Sequence, residues 1–419
     1  MPDDLEDQSR RGLLGRSLAG SRAPEFHARI DAAPYDLLEA ADDVEARRLL
    51  LAPNHAALNV SPVYRDLARK LCAHLSPRAR ALGSVDTVLR ESDGTLCGEH
   101  ASSAALEFVL RRAGIRTAGR RVLIVTDPAC ASDESAPLLV RDLVALLKLF
   151  GADAIALRHW PRGSTFQPDA AALSSEILFS LVDPEAEFDA PLPWDEFPKL
   201  EALVDLCGSP IRPPFVLEAK RRGWKTASGF ELRAAAAAAS AEIFQGRSFL
   251  PAVTSSLIAD LRRDWSNIVL IGMPGSGKTT IGKVLAHRLK RRFIDIDAWV
   301  EAEVGKPTHR IYREDGEAFF RGVESEMIRR ASTLRGVVVA TGGGSCIRAD
   351  NRLRLAANGT LWWVQRPLEK LATADRPILQ SQGATKLWAE REAFYRSAAD
   401  RIVTAASIDA AVNQILGAD

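Results

Sequence analysis

The sequence predicts two α/β domains in one chain. At 419 residues the chain is longer than one hydrophobic core usually organises. Apolar strands alternate with helical stretches along it, which indicates parallel α/β layers. A new strand, glycine-rich loop and helix begin at Asn267. We place the boundary near residue 258, so the predicted domains are 1–258 and 259–419, and the 47% of apolar residues can provide a core for each.

The first domain is predicted from its strands, turns and helices. The apolar stretches VLIVTD (122–127) and LVDLC (203–207) have strand composition, and PLPWDEFP (191–198) and GSPIRPPF (208–215) are rich in turn residues. LLVRDLVALLKLFGA (138–152) predicts a helix between strands. FELRAAAAAASAEIF (230–244) predicts another, because Ala has the highest helix propensity. SSLIADLRRDWSN (255–267) predicts a helix that links the two domains.

Composition restricts the class of partner. The 55 Lys and Arg residues against 54 Asp and Glu give a net charge of +1, which offers no electrostatic reason to expect nucleic acid or an acidic membrane. No apolar run is long enough to span a bilayer, and the acidic start of the chain argues against a signal peptide. The five cysteines are odd in number and form no C-x-x-C pair, so we expect neither zinc nor disulfides. We therefore expect a cytoplasmic protein that acts on a small molecule.

The second domain opens with a phosphate-binding loop. Gly272-Met-Pro-Gly-Ser-Gly-Lys-Thr279 matches G-x-x-x-x-G-K-[ST], with the strand NIVLIG before it and the helix TTIGKVLAHRL after it. The glycines allow backbone N–H groups to point at phosphate oxygens, and the helix N-terminus adds a favourable dipole. Lys278 can reach the β and γ phosphates, and Thr279 can bind Mg²⁺. The predicted nucleotide-binding residues are Gly272, Gly275, Ser276, Gly277, Lys278, Thr279 and Thr280.

A pair of carboxylates follows in FIDIDAWVE (293–301). Asp295 and Asp297 alternate at a strand end, so both can face one crevice if the strand stops there. One carboxylate can hold the water shell of a metal, and the other can orient or deprotonate an attacking hydroxyl. The alternative is an Asp pair that only caps the next helix.

Two later motifs complete the pattern. EDGEAFFRGVESE (314–326) places Arg321 and Glu324 on one helical face, and VVVATGGGS (337–345) is an apolar strand that ends in the glycines 342–344. Each has an ordinary alternative, because Arg321 could form a surface ion pair and the glycines could form a plain turn. Their order behind a phosphate-binding loop is more specific than either motif alone.

The order of P-loop, D-x-D, G-E-x-x-F-R, G-G-G, R-P and R-x-x-x-Y resembles that of shikimate kinase over residues 267–404. The resemblance implies a P-loop parallel-sheet domain, similar to nucleoside monophosphate kinases, that uses ATP and Mg²⁺ to phosphorylate the 3-hydroxyl of shikimate. It implies Mg²⁺ binding by Thr279 and Asp295, and catalysis by Lys278, Asp297 and a lid arginine, Arg376. The lid segment is several residues shorter than usual in the family, and Ala393 replaces a common Pro. Shikimate would be bound by Asp297, Arg321, Gly342, Gly343, Gly344 and Arg391.

Residues 12–250 resemble shikimate dehydrogenase more weakly. The resemblance lies in GLLGRSLAGSRAPEFH (12–27), in the stretch 58–108, and in SGFELRAAAAAASAEIF (228–244). It implies an α/β domain of that family in which Ser21 is retained but the reactive residues are exchanged. The turn TDPACAS (126–132) lacks the glycines of a dinucleotide site. We therefore expect no hydride transfer. The exchanged residues are Ala23 for a serine, Arg65 for the catalytic lysine, Asp86 for an asparagine, Ser102 for an aspartate and Ala236 for a glutamine.

Two alternatives stay open at the level of sequence. A bifunctional enzyme would also reduce 3-dehydroshikimate, which needs NADPH and is disfavoured by the turn at 126–132. A regulator that only binds ligands would not need the kinase residues, yet all of them are present. The first domain could stabilise the second, sense a ligand or dock to other enzymes of the pathway. The expected partner is shikimate, with no nucleic acid and no membrane.

Overall fold

The computed structural model describes residues 10–31, 33–127, 135–160, 164–189, 192–371, 383–404 and 407–417. The chain divides into two units. Unit 1 consists of Met1–Ser209 and Phe215–Ala259, and unit 2 of Pro210–Pro214 and Asp260–Asp419. Residues 210–214 thus belong to unit 2, although we predicted them in the first domain. Both units contain sheets flanked by helices, so the predicted α/β class is confirmed.

The first part of unit 1 contains a six-stranded mixed sheet. Its strands are β1 (Arg11–Gly15), β2 (Tyr35–Glu39), β3 (Ala57–Val60), β4 (His74–Leu75), β5 (Thr87–Arg90) and β6 (Leu96–Glu99). They lie in the order β2-β1-β3-β5-β6-β4, and β5 runs antiparallel to both of its neighbours. The helices here are α1 (Ala23–His27), α2 (Asp43–Leu51), α3 (Arg65–Leu71) and α4 (Pro77–Leu82). Leu14, Leu50, Leu58 and Tyr64 meet in their shared core.

The second part of unit 1 contains a five-stranded parallel sheet in the order β11-β10-β9-β7-β8. Its strands are β7 (Arg121–Thr126), β8 (Ala154–His159), β9 (Ile177–Leu181), β10 (Ala202–Asp205) and β11 (Lys225–Ala227). Every residue of the central strand β9 is buried, as expected for a parallel strand covered on both faces. The helices are α5 (Ala101–Arg112), α6 (Ser135–Leu149), α7 (Ala170–Leu173), α8 (Pro184–Asp189), α9 (Pro214–Arg221), α10 (Gly229–Gln245) and α11 (Pro251–Trp265).

The two helices predicted late in the first domain are present. Helix α10 is held at its start by a capping box between Ser228 and Glu231, and it ends at Gly246 in the left-handed conformation. Helix α11 begins at Pro251 rather than at the predicted Ser255. Proline favours the first position of a helix, because its missing N–H would have no partner there and its φ is already helical.

Unit 2 contains a five-stranded parallel sheet with strand order β13-β14-β12-β15-β16. Its strands are β12 (Asn267–Ile271), β13 (Phe293–Asp295), β14 (Val338–Ala340), β15 (Gly359–Gln365) and β16 (Arg401–Thr404). Its helices are α12 (Lys278–Leu289), α13 (Ile296–Val304), α14 (Thr308–Glu314), α15 (Glu317–Ser332), α16 (Ala349–Asn358), α17 (Ala384–Ala398) and α18 (Ile408–Leu416).

The sheet of unit 2 has a hydrophobic core on each face. Val269 and Ile271 of β12 pack into one core, and Ile268 and Leu270 pack into the other, as the two-residue period of a strand requires. Because β12, β13 and β14 are parallel neighbours, the segments that follow them meet at one edge of the sheet.

The described part of the chain contains no helix that is both long and apolar enough to cross a membrane. Four described cysteines, Cys72, Cys97, Cys207 and Cys346, are free thiols, and Cys130 lies outside the described residues. Burial raises the pKa of the Cys346 thiol to about 12, so that side chain is neutral.

Residues 210–214 are fixed to the rest of unit 2 by their backbone. The N–H of Ile211 donates to Asn358 Oδ1 at 2.8 Å, and the N–H of Arg212 donates to the carbonyl of Ala357 at 2.9 Å. Ile211 is buried. The segment therefore covers the end of α16 and the start of β15.

The Arg212 side chain strengthens this attachment. Its guanidinium donates to the carbonyls of Ala356, at 3.1 Å, and of Gly359, and it pairs with Asp400 at 3.3 Å. The last carbonyls of a helix have no partner within the helix, so Arg212 acts as a C-terminal cap of α16. Asp400 also accepts the N–H of Leu361 at 2.9 Å, which connects the cap to β15.

We expect Arg212→Ala to lower the free energy of unfolding of unit 2 by about 2 kcal/mol, because several acceptors lose a charged donor at once. Calorimetry of the full chain measures this change in stability. The unfolding transition of unit 2 is the one whose temperature changes when nucleotide is added. Arg313→Ala is the matched control, since its side chain is 73% exposed and its ion pair with Glu314 is 3.4 Å long. Equal effects of the two substitutions would contradict the role of Arg212.

Candidate active site

The candidate active site lies at the edge of the unit 2 sheet where β12, β13 and β14 end. The loop between β12 and α12 has the strand–loop–helix arrangement that the sequence predicted. Gly272, Gly275 and Gly277 have φ values of 136°, 76° and 100°, a region that only glycine adopts without strain. A Cβ at Gly272 would also lie 2.7 Å from the carbonyl oxygen of Val364. The loop therefore depends on glycine for its conformation and for its packing.

Lys278 and Ser276 supply the polar groups inside this loop. The Lys278 ammonium donates to the carbonyls of Gly272 and Met273, both at 2.9 Å, and the side chain is buried. The Ser276 hydroxyl is also buried and has no hydrogen-bond partner among the described residues. Thr280, in the first turn of α12, is exposed. The interior of the loop thus holds a buried cation and a hydroxyl that can donate to a phosphate oxygen.

Asp295 joins the phosphate loop to the next strand. Its Oδ2 accepts the hydroxyl of Thr279 at 2.8 Å, and its Oδ1 accepts the N–H groups of Asp297 and Ala298 at 3.1 and 3.3 Å. Asp295 therefore caps α13, as the alternative interpretation expected, and its other oxygen faces the phosphate loop. A carboxylate and a hydroxyl are oxygen ligands of the kind that Mg²⁺ prefers, and Mg²⁺ is usually held by one or two such groups with substrate phosphates.

Asp297 lies elsewhere than expected. Strand β13 ends at Asp295, and because Asp295 caps α13, the helix begins at Ile296 and Asp297 falls in its first turn. The predicted alternation of two carboxylates on a strand end is therefore wrong. Asp297 still reaches the site, since its Oδ1 would lie 2.7 Å from a Cβ at Gly342.

The three glycines after β14 make room for three neighbouring elements. They take part in a turn, in which the N–H of Ser345 donates to the carbonyl of Gly342 at 3.3 Å, but none of them has a positive φ, so the reason for glycine is space. A Cβ at Gly343 would lie 2.5 Å from the Pro274 ring of the phosphate loop, and one at Gly342 would meet Asp297. A Cβ at Gly344 would overlap the guanidinium of Arg321. Because these three glycines have no side chains, the phosphate loop, α13 and α15 can all pack against them.

Arg321 forms two ion pairs, a largely buried one with Glu324 and one at 3.2 Å with the exposed Glu317, so the expected surface pair is present beside the buried one. Its Nη1 donates to Glu324 at 2.6 Å, and the side chains of Arg321 and Glu324 are 12% and 0% exposed. The other oxygen of Glu324 accepts the hydroxyl of Ser345 at 2.6 Å. Burial acts to lower the pKa of Arg321, but the electrostatic interactions with Glu324, Tyr312 and Glu317 and the hydrogen bond to Glu324 together outweigh it and raise that pKa, so the guanidinium stays charged.

Arg391 comes to the same place from α17. It is buried, and its Nε has no hydrogen-bond partner within the part of the chain that the structure describes. One turn further on, the hydroxyl of Tyr395 donates to the carbonyl of Gly343. Burial raises the pKa values of Tyr312 and Tyr395, while the charges of both Arg321 and Arg391 act to lower them. The charges of both guanidinium groups therefore act on the same pair of tyrosines.

Sequence reasoning assigned no role to Glu324, Ser345 or Tyr395. Each was visible within a quoted motif, Glu324 one helical turn after Arg321, Ser345 directly after the glycines and Tyr395 as the end of R-x-x-x-Y. Their partners lie on other elements and could not be inferred from spacing. Arg376 lies outside the described residues, and Ala393 is exposed on α17.

In unit 1, the exchanged residues converge on one cavity of about 830 Å³. Arg65 is buried there and pairs with Asp142 at 2.7 Å. Asp86 accepts the N–H groups of Ala101 and Ser102 at 2.7 and 2.8 Å. Asp127 is buried, and the rest of the turn at 126–132 from residue 128 onward lies outside the described residues. The predicted residues that line the cavity are Ser21, Ala23, Arg65, Asp86, Ser102 and Ala236.

We expect Gly343→Ala to lower the unfolding temperature of unit 2 and to reduce phosphoryl transfer by about 10²-fold, since a shift of about 1 Å in a site has such effects. The Cβ would meet the Pro274 ring, which is fixed by the phosphate loop. Gly322→Ala is the matched control, because nothing lies within 4 Å of that Cβ. It should leave activity unchanged and stabilise α15 by about 1 kcal/mol. Normal activity of Gly343→Ala would show that the two loops can separate without loss.

Comparison with known proteins identifies the family. The profile of the Shikimate kinase family matches residues 274–418. A shikimate kinase from Persephonella marina is 40% identical over 159 residues, which cover 36% of this chain and 97% of that protein. The structure of a shikimate kinase from Acinetobacter baumannii in complex with shikimate aligns with 38% of this chain and 98% of its own, at 28% identity and a TM-score of 0.36.

A shikimate dehydrogenase from Peptoclostridium difficile aligns with 61% of this chain and 98% of its own, at 18% identity and a TM-score of 0.47. The match to the Persephonella kinase spans almost the whole of that protein at 40% identity. On this match, the chain belongs to the shikimate kinase family.

Proposed function

We propose that unit 2 transfers the γ-phosphoryl group of ATP to the 3-hydroxyl of shikimate. The observation that carries the proposal is the meeting of a phosphate loop, a carboxylate and two buried arginines at one edge of the sheet. The phosphate loop can bind a nucleotide. The two arginines can bind a carboxylate, and shikimate carries one. The similarity to shikimate kinases over residues 274–418 supports the same substrates.

The phosphate loop would bind ATP through its backbone N–H groups, Ser276 and Lys278. The Lys278 ammonium lies among carbonyls of the loop and can donate to phosphate oxygens without rearrangement of the backbone. Thr279 and Asp295 would hold Mg²⁺, which when bound neutralises charge on the phosphate oxygens. Arg376, our proposed lid residue, would add positive charge near the transferred group.

Arg321 and Arg391 would bind the shikimate carboxylate. A guanidinium pairs with a carboxylate through two parallel N–H bonds, and the buried Nε of Arg391 needs an acceptor. Glu324 is a positioning residue, because it fixes the Arg321 guanidinium against Gly344. The backbone of the glycines 342–344 would form the surface against which the ring lies.

Asp297 would orient the reacting hydroxyl and accept its proton. Its carboxylate lies beside Gly342, as does that of Glu324, and Asp297 is two residues after Asp295, which faces Thr279. A carboxylate between the phosphate loop and the acceptor site can direct a hydroxyl toward the γ-phosphorus. Positioning and charge stabilisation would provide most of the rate enhancement, as in phosphoryl transfer generally.

We expect Asp297→Asn to bind ATP normally and to reduce kcat by about 10²-fold or more, because the amide cannot accept the proton. A coupled assay with shikimate and a fluorescent ATP analogue measures the two effects separately. Lys278→Ala should instead impair nucleotide use itself. Asp409→Asn, at a site with an exposed side chain, is the control. A parental rate for Asp297→Asn would remove its proposed role.

We expect Arg391→Lys to raise the KM for shikimate by about tenfold or more while the KM for ATP stays constant, because lysine keeps the charge but loses the planar pair of donors. Arg396→Lys on the same helix is the matched control, since its side chain is 66% exposed and its ion pair with Glu392 lies within α17. If both substitutions changed the KM for shikimate equally, Arg391 would not be one of the residues that bind the carboxylate.

We also propose that unit 1, over about residues 1–258, does not transfer hydride. A guanidinium is a poor acid or base at ordinary pH, and the Arg65 side chain is held in a buried ion pair with Asp142. Steady oxidation of NADPH by the full chain in the presence of 3-dehydroshikimate would favour the bifunctional alternative instead.

A further inference from the structure

Tyr312 lies beside Arg321, one of the two arginines proposed to bind the carboxylate. It belongs to α14 and is half-buried. Its ring packs against that of Phe320, and the centroids of the two rings are 4.6 Å apart. The Arg321 guanidinium carbon lies 6.0 Å from the centroid of the Tyr312 ring and 5.4 Å from that of Phe320. Both rings therefore border this guanidinium.

The helix that carries Tyr312 is fixed at both of its ends. At its start, the N–H and the hydroxyl of Thr308 donate to Glu301 on α13 at 2.7 and 2.8 Å. Directly after its last residue, Asp315 accepts the ammonium of Lys306 at 2.9 Å. Residues held in this way need little reordering when a ligand binds, which lowers the entropic cost of binding.

The hydroxyl of Tyr312 forms no hydrogen bond within the ranges that the structure describes. The hydroxyl of Tyr395, by contrast, already donates to the carbonyl of Gly343. Burial and the charges of two nearby glutamates raise the pKa of Tyr312 against the opposing charges of Arg321 and Arg391. The phenol therefore keeps its proton at ordinary pH and can donate a hydrogen bond close to both guanidinium groups.

We propose that the Tyr312 hydroxyl donates a hydrogen bond to the carboxylate of shikimate, next to Arg321 and Arg391. This role of Tyr312 rests on the proposed phosphorylation of shikimate by unit 2. An ionised carboxylate has about four lone-pair sites, so it can accept from a hydroxyl as well as from two guanidinium groups. The hydroxyl also adds a donor without adding a charge to the empty site.

The contact acts on binding and not on the chemical step. The carboxylate takes no part in bond making or breaking, so the hydrogen bond is equal in the ground state and the transition state. Such an interaction lowers KM and leaves kcat unchanged. Tyr312 thus makes unit 2 more selective for a ring acid over the same ring without its carboxylate.

Steady-state kinetics of the full chain with ATP and shikimate test this role. Tyr312→Phe keeps the ring and its packing against Phe320 and Arg321, so only the hydroxyl is lost. We expect the KM for shikimate to rise by about tenfold, as for the loss of one hydrogen bond to a charged group, while kcat and the KM for ATP stay constant. Tyr35→Phe is the matched control, because it removes a hydroxyl that donates to Asn59 in unit 1 at 2.8 Å.

A second ligand identifies the group that the hydroxyl binds. Cyclohex-4-ene-1,2,3-triol is shikimate without its carboxylate, and its inhibition constant against shikimate is measured without the need for turnover. We expect the same constant for the parental chain and for Tyr312→Phe. A constant that rises as much as the KM for shikimate would show a general effect on the site and overturn the role of Tyr312. A parental KM in Tyr312→Phe would overturn that role alone, whereas a parental chain that does not phosphorylate shikimate would overturn the proposed function with it.

Discussion

The contact between the glycines after β14 and the phosphate loop is the constraint on which the site of unit 2 depends. Pro274 occupies the space that a side chain at position 343 would need, so the two loops can approach only because that residue is glycine. Because of this approach, the phosphate-binding backbone lies next to the glycines 342–344, which also pack against Asp297 and Arg321. A protein interior cannot accept even one extra carbon at such a contact without displacing something. In the proposed reaction, backbone packing would thus set the distance between the nucleotide and the acceptor.

Much of unit 2 could be predicted from sequence, because its signals are local. The phosphate loop follows from glycine and lysine spacing within eight residues, and β12 and β14 follow from short apolar runs. Asp297 shows where local reasoning failed. Two aspartates two residues apart fit a strand, but Asp295 accepts two N–H groups and starts a helix, so the second carboxylate lies in the first turn of α13 and not on the strand. An Asp side chain that caps a helix favours the helix over a continued strand, even where the sequence pattern fits a strand.

Contacts between distant segments could not be predicted. The hydroxyl of Tyr395 reaches the carbonyl of Gly343, and Ser345 reaches Glu324, through packing of α15 and α17 that no periodicity reveals. In unit 1 the exchanged residues were found by resemblance, but the partners of Arg65 and Asp86 were not. Asp142, which forms an ion pair with Arg65, lies on α6 and is 77 positions further along the chain. The physical reason is that sequence patterns report burial and local geometry, whereas the pairing of buried charges is a property of the folded chain.

The membership of residues 210–214 in unit 2 has a topological result. The backbone leaves unit 1 after Ser209, returns at Phe215 and leaves again after Ala259. Cleavage of any single peptide bond therefore cannot release either unit with all of its residues. The segment that caps α16 is also synthesised before any other part of unit 2, so it is already available when the nascent sheet forms. A chain that began at residue 260 would therefore lack Arg212, which caps the end of α16.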